Sequence, residues 1–433
     1  MSKPDEQAGA VGAAAGGWTA SSIYALVVLT LISTLNYFDR SVMSLLLPLI
    51  KAEFKVSDAA LGLVTGLILV YAVVGVPIAW LAERWSRKWV IAIGLTFWSA
   101  MTSLTGTAGG VWQLGAFRFL MGVGEAGGLA PSQSMLSDIF SPSRRPLALS
   151  VLTTASSVAV MVYSPLAGWI AGHYGWRMTF LLAGAPGIVV ALIFALTVKE
   201  PRRRTAPGGA AAPPAAPLHE AMTFLLGSRA FVLCLLGTTL MGVYLYGVGA
   251  WGTMLLVRVR HLSVPQVGSF VAPARGAVAA LGILLGGALA SWLDRFDARW
   301  RCWIAGGACV LLAPCEFLYV FGDRMQIWIP AMLAASLFSI MHQGPIYATY
   351  VSVAKPRMRA ISVSVALLGA TVLGQLGGPI LIGWLNDTLR PQFGDMAIRY
   401  SMLVVMACAV GGGLCFLLAA RHLRQDTARA LEA

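Results

Sequence analysis

Charge is scarce in this sequence. Asp, Glu, Lys and Arg make up 11% of its 433 residues, where a soluble domain carries about 25%. That shortage excludes a water-facing surface for most of the chain, and with it an ordinary soluble enzyme. Cysteine is sparse and badly spaced for chemistry. Cys234, Cys302, Cys309, Cys315, Cys408 and Cys415 all fall in apolar runs of the second half, and none forms a CxxC pair. Neither a disulfide framework nor a thiolate metal site is expected, and the six read as small apolar side chains. There is no P-loop, so ATP is not the expected energy source. Ser and His are scattered without a nucleophile motif, and no His/Cys/Asp cluster has metal-ligand spacing. No enzymatic activity, metal or cofactor is therefore expected. Met1–Gly17 lacks the basic start and short apolar core of a cleaved signal peptide, so the first apolar run is expected to act as its own insertion signal.

What the sequence does have is apolar length. Hydrophobic residues make up 58% of it, and the mean hydropathy is +0.76. A bilayer core takes about 20 apolar residues per helix. Runs of that kind lie near 21–50, 59–81, 89–107, 111–140, 147–172 and 178–198, then 230–257, 264–293, 302–321, 327–353, 360–385 and 397–418. An all-α membrane protein of twelve transmembrane helices is expected. Between the two sets, Lys199-Glu-Pro-Arg-Arg-Arg204 leads into an Ala/Pro/Gly stretch with the composition of a flexible linker. The expected organisation is an N-terminal tail (1–20), a six-helix bundle (21–198), a linker (199–228), a second bundle (229–420) and a tail (421–433).

The net charge of +13 does not point to nucleic acid, because basic residues mark the cytoplasmic loops of membrane proteins. With both termini inside, nineteen Lys and Arg outside the N-terminal tail fall on the cytoplasmic side and eight on the other. That bias fits an even number of crossings and a multi-pass protein of the bacterial inner membrane.

The two halves echo each other. Leu81–Trp89 parallels Trp292–Trp300, Pro142–Val151 parallels Pro356–Val365, and Pro165–Trp169 parallels Pro379–Trp384. The pairs Glu83/Asp294, Ser143/Arg357 and Pro165/Pro379 are separated by 211, 214 and 214 residues. Three matches at nearly one offset indicate a duplicated six-helix unit. Two bundles with a site between them suit alternating access.

At these residues the chain resembles the major facilitator superfamily. Ala79-Trp-Leu-Ala-Glu83-Arg84-Trp-Ser86-Arg87-Lys88 is similar to its signature loop between helices 2 and 3, with Ala79 and Ser86 in place of both glycines and Glu83 in place of the aspartate. Arg118-x-x-x-Gly122-x-Gly124-Glu125-Ala126 resembles its helix-4 arginine motif, and Ser164-Pro165-Leu-Ala-Gly168 a helix-5 motif that has lost its first glycine. Within the superfamily, Leu35-Asn-Tyr-Phe-Asp-Arg40, Arg118–Gly128 and Ala250–Arg258 resemble the Spinster-like group, although the Asn-Tyr-x-Asp-Arg element also occurs in organic anion symporters. The resemblance spans about residues 20–420 and implies two pseudo-symmetric bundles. It also implies an inner-gate network of Glu83, Arg84, Arg87 and Asp138, with Asp294 and Arg295 as counterparts in the second half. The implied cargo is a lysolipid-like or sphingoid solute, or another organic acid.

Ionisable groups inside a bilayer cost about 3 kcal/mol each on insertion scales and so mark function. Asp39 lies about 11 residues, roughly 16 Å, from the outer end of helix 1, at a depth between those of Arg118 and Glu125 on helix 4. Arg118 and Glu125 are spaced to share a helix face, and the resemblance places helices 1 and 4 along the cavity. An Asp39–Arg118–Glu125 cluster is expected there. A carboxylate compensated by an arginine in one state and not in another takes up and releases a proton. The alternative is a permanent salt bridge holding helices 1 and 4 together. Arg40 either binds an anionic substrate or pairs with Asp39. Tyr37, Tyr71, Tyr163, Tyr244 and Tyr246 at mid-helix depth read equally as an aromatic lining or as packing. Asn36, Arg275, His342, Gln343, Tyr347 and Gln375 complete the candidate cavity.

The reading that results is a monomeric, proton-gradient-driven transporter of a small amphipathic or anionic solute, in contact with membrane lipids. The alternatives are an anion:cation symporter of organic acids or a transporter-like membrane sensor, which would require an output domain.

Overall fold

The structure, a computed structural model, describes residues 18–67, 70–141, 144–201 and 217–432. The expected tail before Trp18 and the Ala/Pro/Gly stretch of the linker lie outside the described residues. Among the described residues all regular structure is helical, as lipid requires: with no water to bond it, each backbone amide must be satisfied within its own segment.

The first half contains α1 (Ala20–Phe54), α2 (Asp58–Gly66), α3 (Val70–Arg84), α4 (Arg87–Thr105), α5 (Val111–Glu125) and α6 (Leu129–Ile139). It ends with α7 (Arg145–Thr153), α8 (Ala155–Val158), a π-turn at Ala159–Tyr163 and α9 (Ser164–Thr197). The second half contains α10 (Leu218–Leu226), α11 (Arg229–Arg260), α12 (Val264–Gln266), a π-turn at Val267–Val271 and α13 (Ala272–Leu293). It continues with α14 (Trp300–Phe321), α15 (Met325–Ile340), α16 (Gln343–Ser352), α17 (Arg359–Phe393) and α18 (Ala397–Glu432).

Eight helical stretches of the described residues are long and apolar enough to cross a membrane, and two of them, Leu147–Thr197 and Pro356–Leu431, are long enough to cross twice. With α4 and the α5–α6 pair added, the described helices make twelve crossings, one for each apolar run of the sequence. The double stretch in the first half turns at Gly175, whose φ of 78° is open to glycine at little cost. Helix α10 forms inside the segment read as linker by burying Ala221 and Leu225, and α18 runs through the segment read as the final tail.

The chain divides into two compact units: Met1–Val42 with Val70–Ala210, and Met43–Leu69 with Ala211–Ala433. The second half of α1 and all of α2 therefore belong with the second unit. Distant carboxylates cap helix starts within both units. In the first, Glu200 accepts from Arg87 N at 2.8 Å and from Ser86 Oγ. In the second, Asp426 Oδ2 accepts from Ala230 N and Ser228 Oγ, both at 2.8 Å, and Asp387 accepts from Asp58 N and Ala59 N at 2.9 and 2.8 Å. A carboxylate on orphan N-terminal amides satisfies the donors and the helix dipole together.

Candidate functional site

In the first unit, Asp39, Arg118 and Glu125 are each 2% exposed, and α1 and α5 bring them near one another. The pairing is different. Glu125 is bound by Arg40, whose Nε and Nη2 both reach Glu125 Oε2 at 2.9 Å, with the guanidinium 4.1 Å over the Tyr71 ring. Arg118 instead donates through Nη1 to the backbone oxygen of Asp39 at 3.0 Å and to Met121 Sδ at 3.4 Å, and stacks 4.6 Å from the Phe180 ring. Geometry explains the change. Arg118 and Glu125 are seven residues apart on α5, about 10 Å along the axis, whereas Arg40 reaches Glu125 from the facing helix.

The cluster is incompletely satisfied. Arg118 Nε and Nη2 and Glu125 Oε1 are buried without hydrogen-bond partners. Asp39 forms no ion pair among the described residues. Trp98 Nε1 and Thr102 Oγ1 lie beside its carboxylate but fall short of hydrogen-bond geometry. Gly124 sets this spacing, because a Cβ there would stand 2.8 Å from Trp98 N. A hollow of about 10 Å³ opens at Asn36, Tyr37, Trp98 and Gly128, room for about one water, with Asn36 Nδ2 unpartnered. The Tyr163 ring lies 5.0 Å from Phe38. A larger cavity of about 280 Å³ lies elsewhere in this unit, lined by Ser22, Tyr24, Ile139, Thr197 and Glu200, and holds none of the cluster.

The expected gate residues of this unit form a connected set. Arg87 Nη1 donates to Asp138 Oδ2 at 2.6 Å, and Arg87 Nε lies 3.8 Å from Glu200 Oε1. Ser134 joins it at 3.0 Å and donates to Glu83 Oε1 at 2.5 Å. Arg84 stacks on Trp80 at 4.3 Å. In the second unit, Asp294 pairs with Arg301 at 2.5 Å, while Arg295 donates to Trp292 O at 2.9 Å.

The cavity candidates of the second unit fall into separate groups. Tyr244 Oη donates to Glu316 Oε2 at 2.9 Å, and Arg275 Nε donates to Ser336 Oγ at 3.2 Å. His342 is 3% exposed and stacks on Phe416 at 5.7 Å, a packing position. Gln375 is buried with Oε1 unpartnered. Tyr246, Gln343 and Tyr347 are half-buried.

Sequence reasoning missed one ion network. Arg258 on α11 donates to Asp58 at the start of α2 through both terminal nitrogens, at 2.7 and 2.9 Å. Lys51 binds the same carboxylate. Asp387 on α17 caps the helix that Asp58 begins. Ser57 before Asp58 was a legible N-cap signal, but nothing local announces a partner 200 residues away.

With this geometry in place, the sequence matches the Major Facilitator Superfamily over residues 29–379. The chain belongs to the major facilitator superfamily. This superfamily member is 32% identical over 411 residues to an MFS-type efflux pump of Mycolicibacterium smegmatis, covering 93% of each chain. It is 25% identical over 435 residues to a sphingosine-1-phosphate transporter of Danio rerio, covering 93% of this chain and 85% of that one. Among solved structures, it matches a bacterial homolog of the human lysosomal transporter Spinster, in an inward-facing and unoccupied conformation. The TM-score is 0.86 at 26% identity, covering 95% of this chain and 99% of that one. It is a Spinster-like, multi-pass membrane transporter of a small solute.

Proposed function

We propose that this transporter moves an amphipathic organic anion of lysolipid-like class by alternating access, coupled to protons, as a monomer in the bacterial inner membrane with both termini cytoplasmic. The observation that carries this reading is the incomplete pairing of buried Arg118 and Glu125 beside an Asp39 that forms no ion pair among the described residues. Arg118 keeps two donors unfilled beside Asp39, and the ion pair of Glu125 among the described residues is with Arg40. A buried charge without a partner costs several kcal/mol, so such a cluster favours exchange of partners over a fixed brace. An anionic headgroup would fill the Arg118 donors. Solute and carboxylates then draw on the same guanidinium groups, and protonation becomes linked to solute binding. The aromatic rings of Tyr71, Phe180 and Tyr163 offer an apolar lining for the acyl part. The relative named for sphingosine-1-phosphate supports the same class.

On this reading the Asp58–Arg258–Lys51 network lies at the outer face, where it holds residues 43–69 to the rest of the second unit. The test is uptake of a fluorescent lysophospholipid into vesicles holding the purified protein. Accumulation should follow an imposed pH gradient and vanish with a protonophore. Accumulation indifferent to the gradient would reject proton coupling.

A further inference from the structure

Glu316 is a buried carboxylate of the second unit that, unlike Asp58, holds no cation and, unlike Asp426, caps no helix among the described residues. It is 1% exposed in the middle of α14. Oε2 accepts one hydrogen bond, from Tyr244. Oε1 is buried with no partner. The cation that faces it, Arg275 from α13, turns its Nε to Ser336, and the two form no ion pair among the described residues. One turn along α14, the Tyr319 hydroxyl is also buried and unpartnered, with Arg275 5.8 Å over its ring. The titratable and charged groups facing Glu316 are therefore Tyr244 from α11, Arg275 from α13, and Cys315 and Tyr319 from its own helix. Helix α15 contributes Ser336, and α18 contributes none among the described residues.

A lone carboxylate with one neutral donor is a poor place to keep a negative charge in hydrocarbon. It is also not a structural brace, since it clamps no cation. Glu125 shows the same pattern in the first unit, with one oxygen bonded and one orphaned. Their separation of 191 residues is not the 211–214 of the internal repeat, so Glu316 is not the duplicated copy of Glu125. We infer that Glu316, held by Tyr244 and faced by Arg275, is a second proton-binding site of this transporter, on the second unit. This rests on the proton coupling proposed above. Glu316 takes a proton at Oε1 and returns it to water when the site hydrates, and Tyr244 acts as a positioning residue by fixing which oxygen is free.

Infrared difference spectra recorded while the vesicle-reconstituted protein is titrated with acid read this directly. The expected result is a carboxylic-acid C=O band, sensitive to D2O, that is lost in Glu316→Gln and retained in Asp39→Asn and Glu125→Gln. In vesicles loaded with a pH-sensitive dye, Glu316→Gln should also lower the protons moved per fluorescent lysophospholipid by one. Tyr244→Phe, which keeps the carboxylate and serves where Glu316→Gln folds poorly, should move the pH midpoint of that band. A spectrum of Glu316→Gln identical to wild type, a proton count that does not change, or an unmoved midpoint in Tyr244→Phe would overturn the inference. Insensitivity confined to Asp39→Asn and Glu125→Gln would instead remove the first-unit carriers and leave Glu316 standing.

Discussion

Arg258 grips Asp58 with two bonds, at 2.7 and 2.9 Å, joining positions 200 residues apart. Both side chains are largely buried, at 13% and 2% exposure, and the fork geometry makes this among the stronger kinds of charged contact. Truncating one partner of a buried pair costs about 3–5 kcal/mol, so Arg258→Ala should shift the equilibrium between closed and open forms of this contact by roughly a hundredfold to several thousandfold. Spin labels at Lys55→Cys and His261→Cys should report a longer distance in that background. An unchanged distance would show that the network does not latch residues 43–69.

The Arg40–Glu125 pair yields a second expectation. Arg40→Gln removes a charge-assisted hydrogen bond and the ion pair that accompanies it, and leaves Glu125 without its cation. Hydrogen bonds to charged groups are worth about 1.5–3 kcal/mol, so gradient-driven lysophospholipid uptake should fall roughly ten- to a hundredfold. Arg40→Lys supplies the charge without the fork and should recover only part of the rate. Full recovery by lysine would show that the two-nitrogen contact on Glu125 Oε2 is not needed.

Packing around the cluster can be tested at two glycines. Gly124→Val drives a side chain into Trp98 and should destabilise the protein by about 1–3 kcal/mol, lowering its thermal midpoint. A Cβ at Gly75 meets nothing within 4 Å, so Gly75→Ala should melt at or slightly above the wild-type temperature. Equal melting of the two variants would contradict the close approach of α4 and α5.

One pH dependence follows from a loop outside the membrane. Asp323, between α14 and α15, accepts from Arg399 at 2.8 Å and Arg260 at 3.4 Å. The Arg399 hydrogen bond, followed by its charge, holds this carboxyl below the usual carboxylate range. A group with a lowered folded value stabilises above its unfolded pKa, about 4 for Asp, and loses that contribution as pH falls through the folded value. Hydrogen exchange in the first turn of α18 should therefore accelerate in that acid range, and Asp323→Asn should abolish the acceleration. Identical profiles for both proteins would exclude the link.

The fold was legible because hydropathy is a strong signal in lipid: each of the twelve apolar runs became a crossing. Asp39, Arg118 and Glu125 were legible because a charge among apolar neighbours stands out. Which arginine serves which carboxylate was not, since Arg40 and Arg118 are the same residue type and only the facing of α1 and α5 selects between them. Asp58, Arg258 and Asp387 sit near helix ends, where charge is ordinary, so their convergence needed three dimensions. Likewise, the inclusion of residues 43–69 in the second unit follows from packing of α2 on α17, which no local pattern encodes.

The central claim is that the buried carboxylates of the first unit carry the coupled proton. The direct measurement compares gradient-driven accumulation with counterflow of fluorescent lysophospholipid in vesicles holding wild-type, Asp39→Asn or Glu125→Gln protein. The account predicts that both variants lose accumulation against the gradient while counterflow continues. Variants that accumulate as fully as wild type would contradict it.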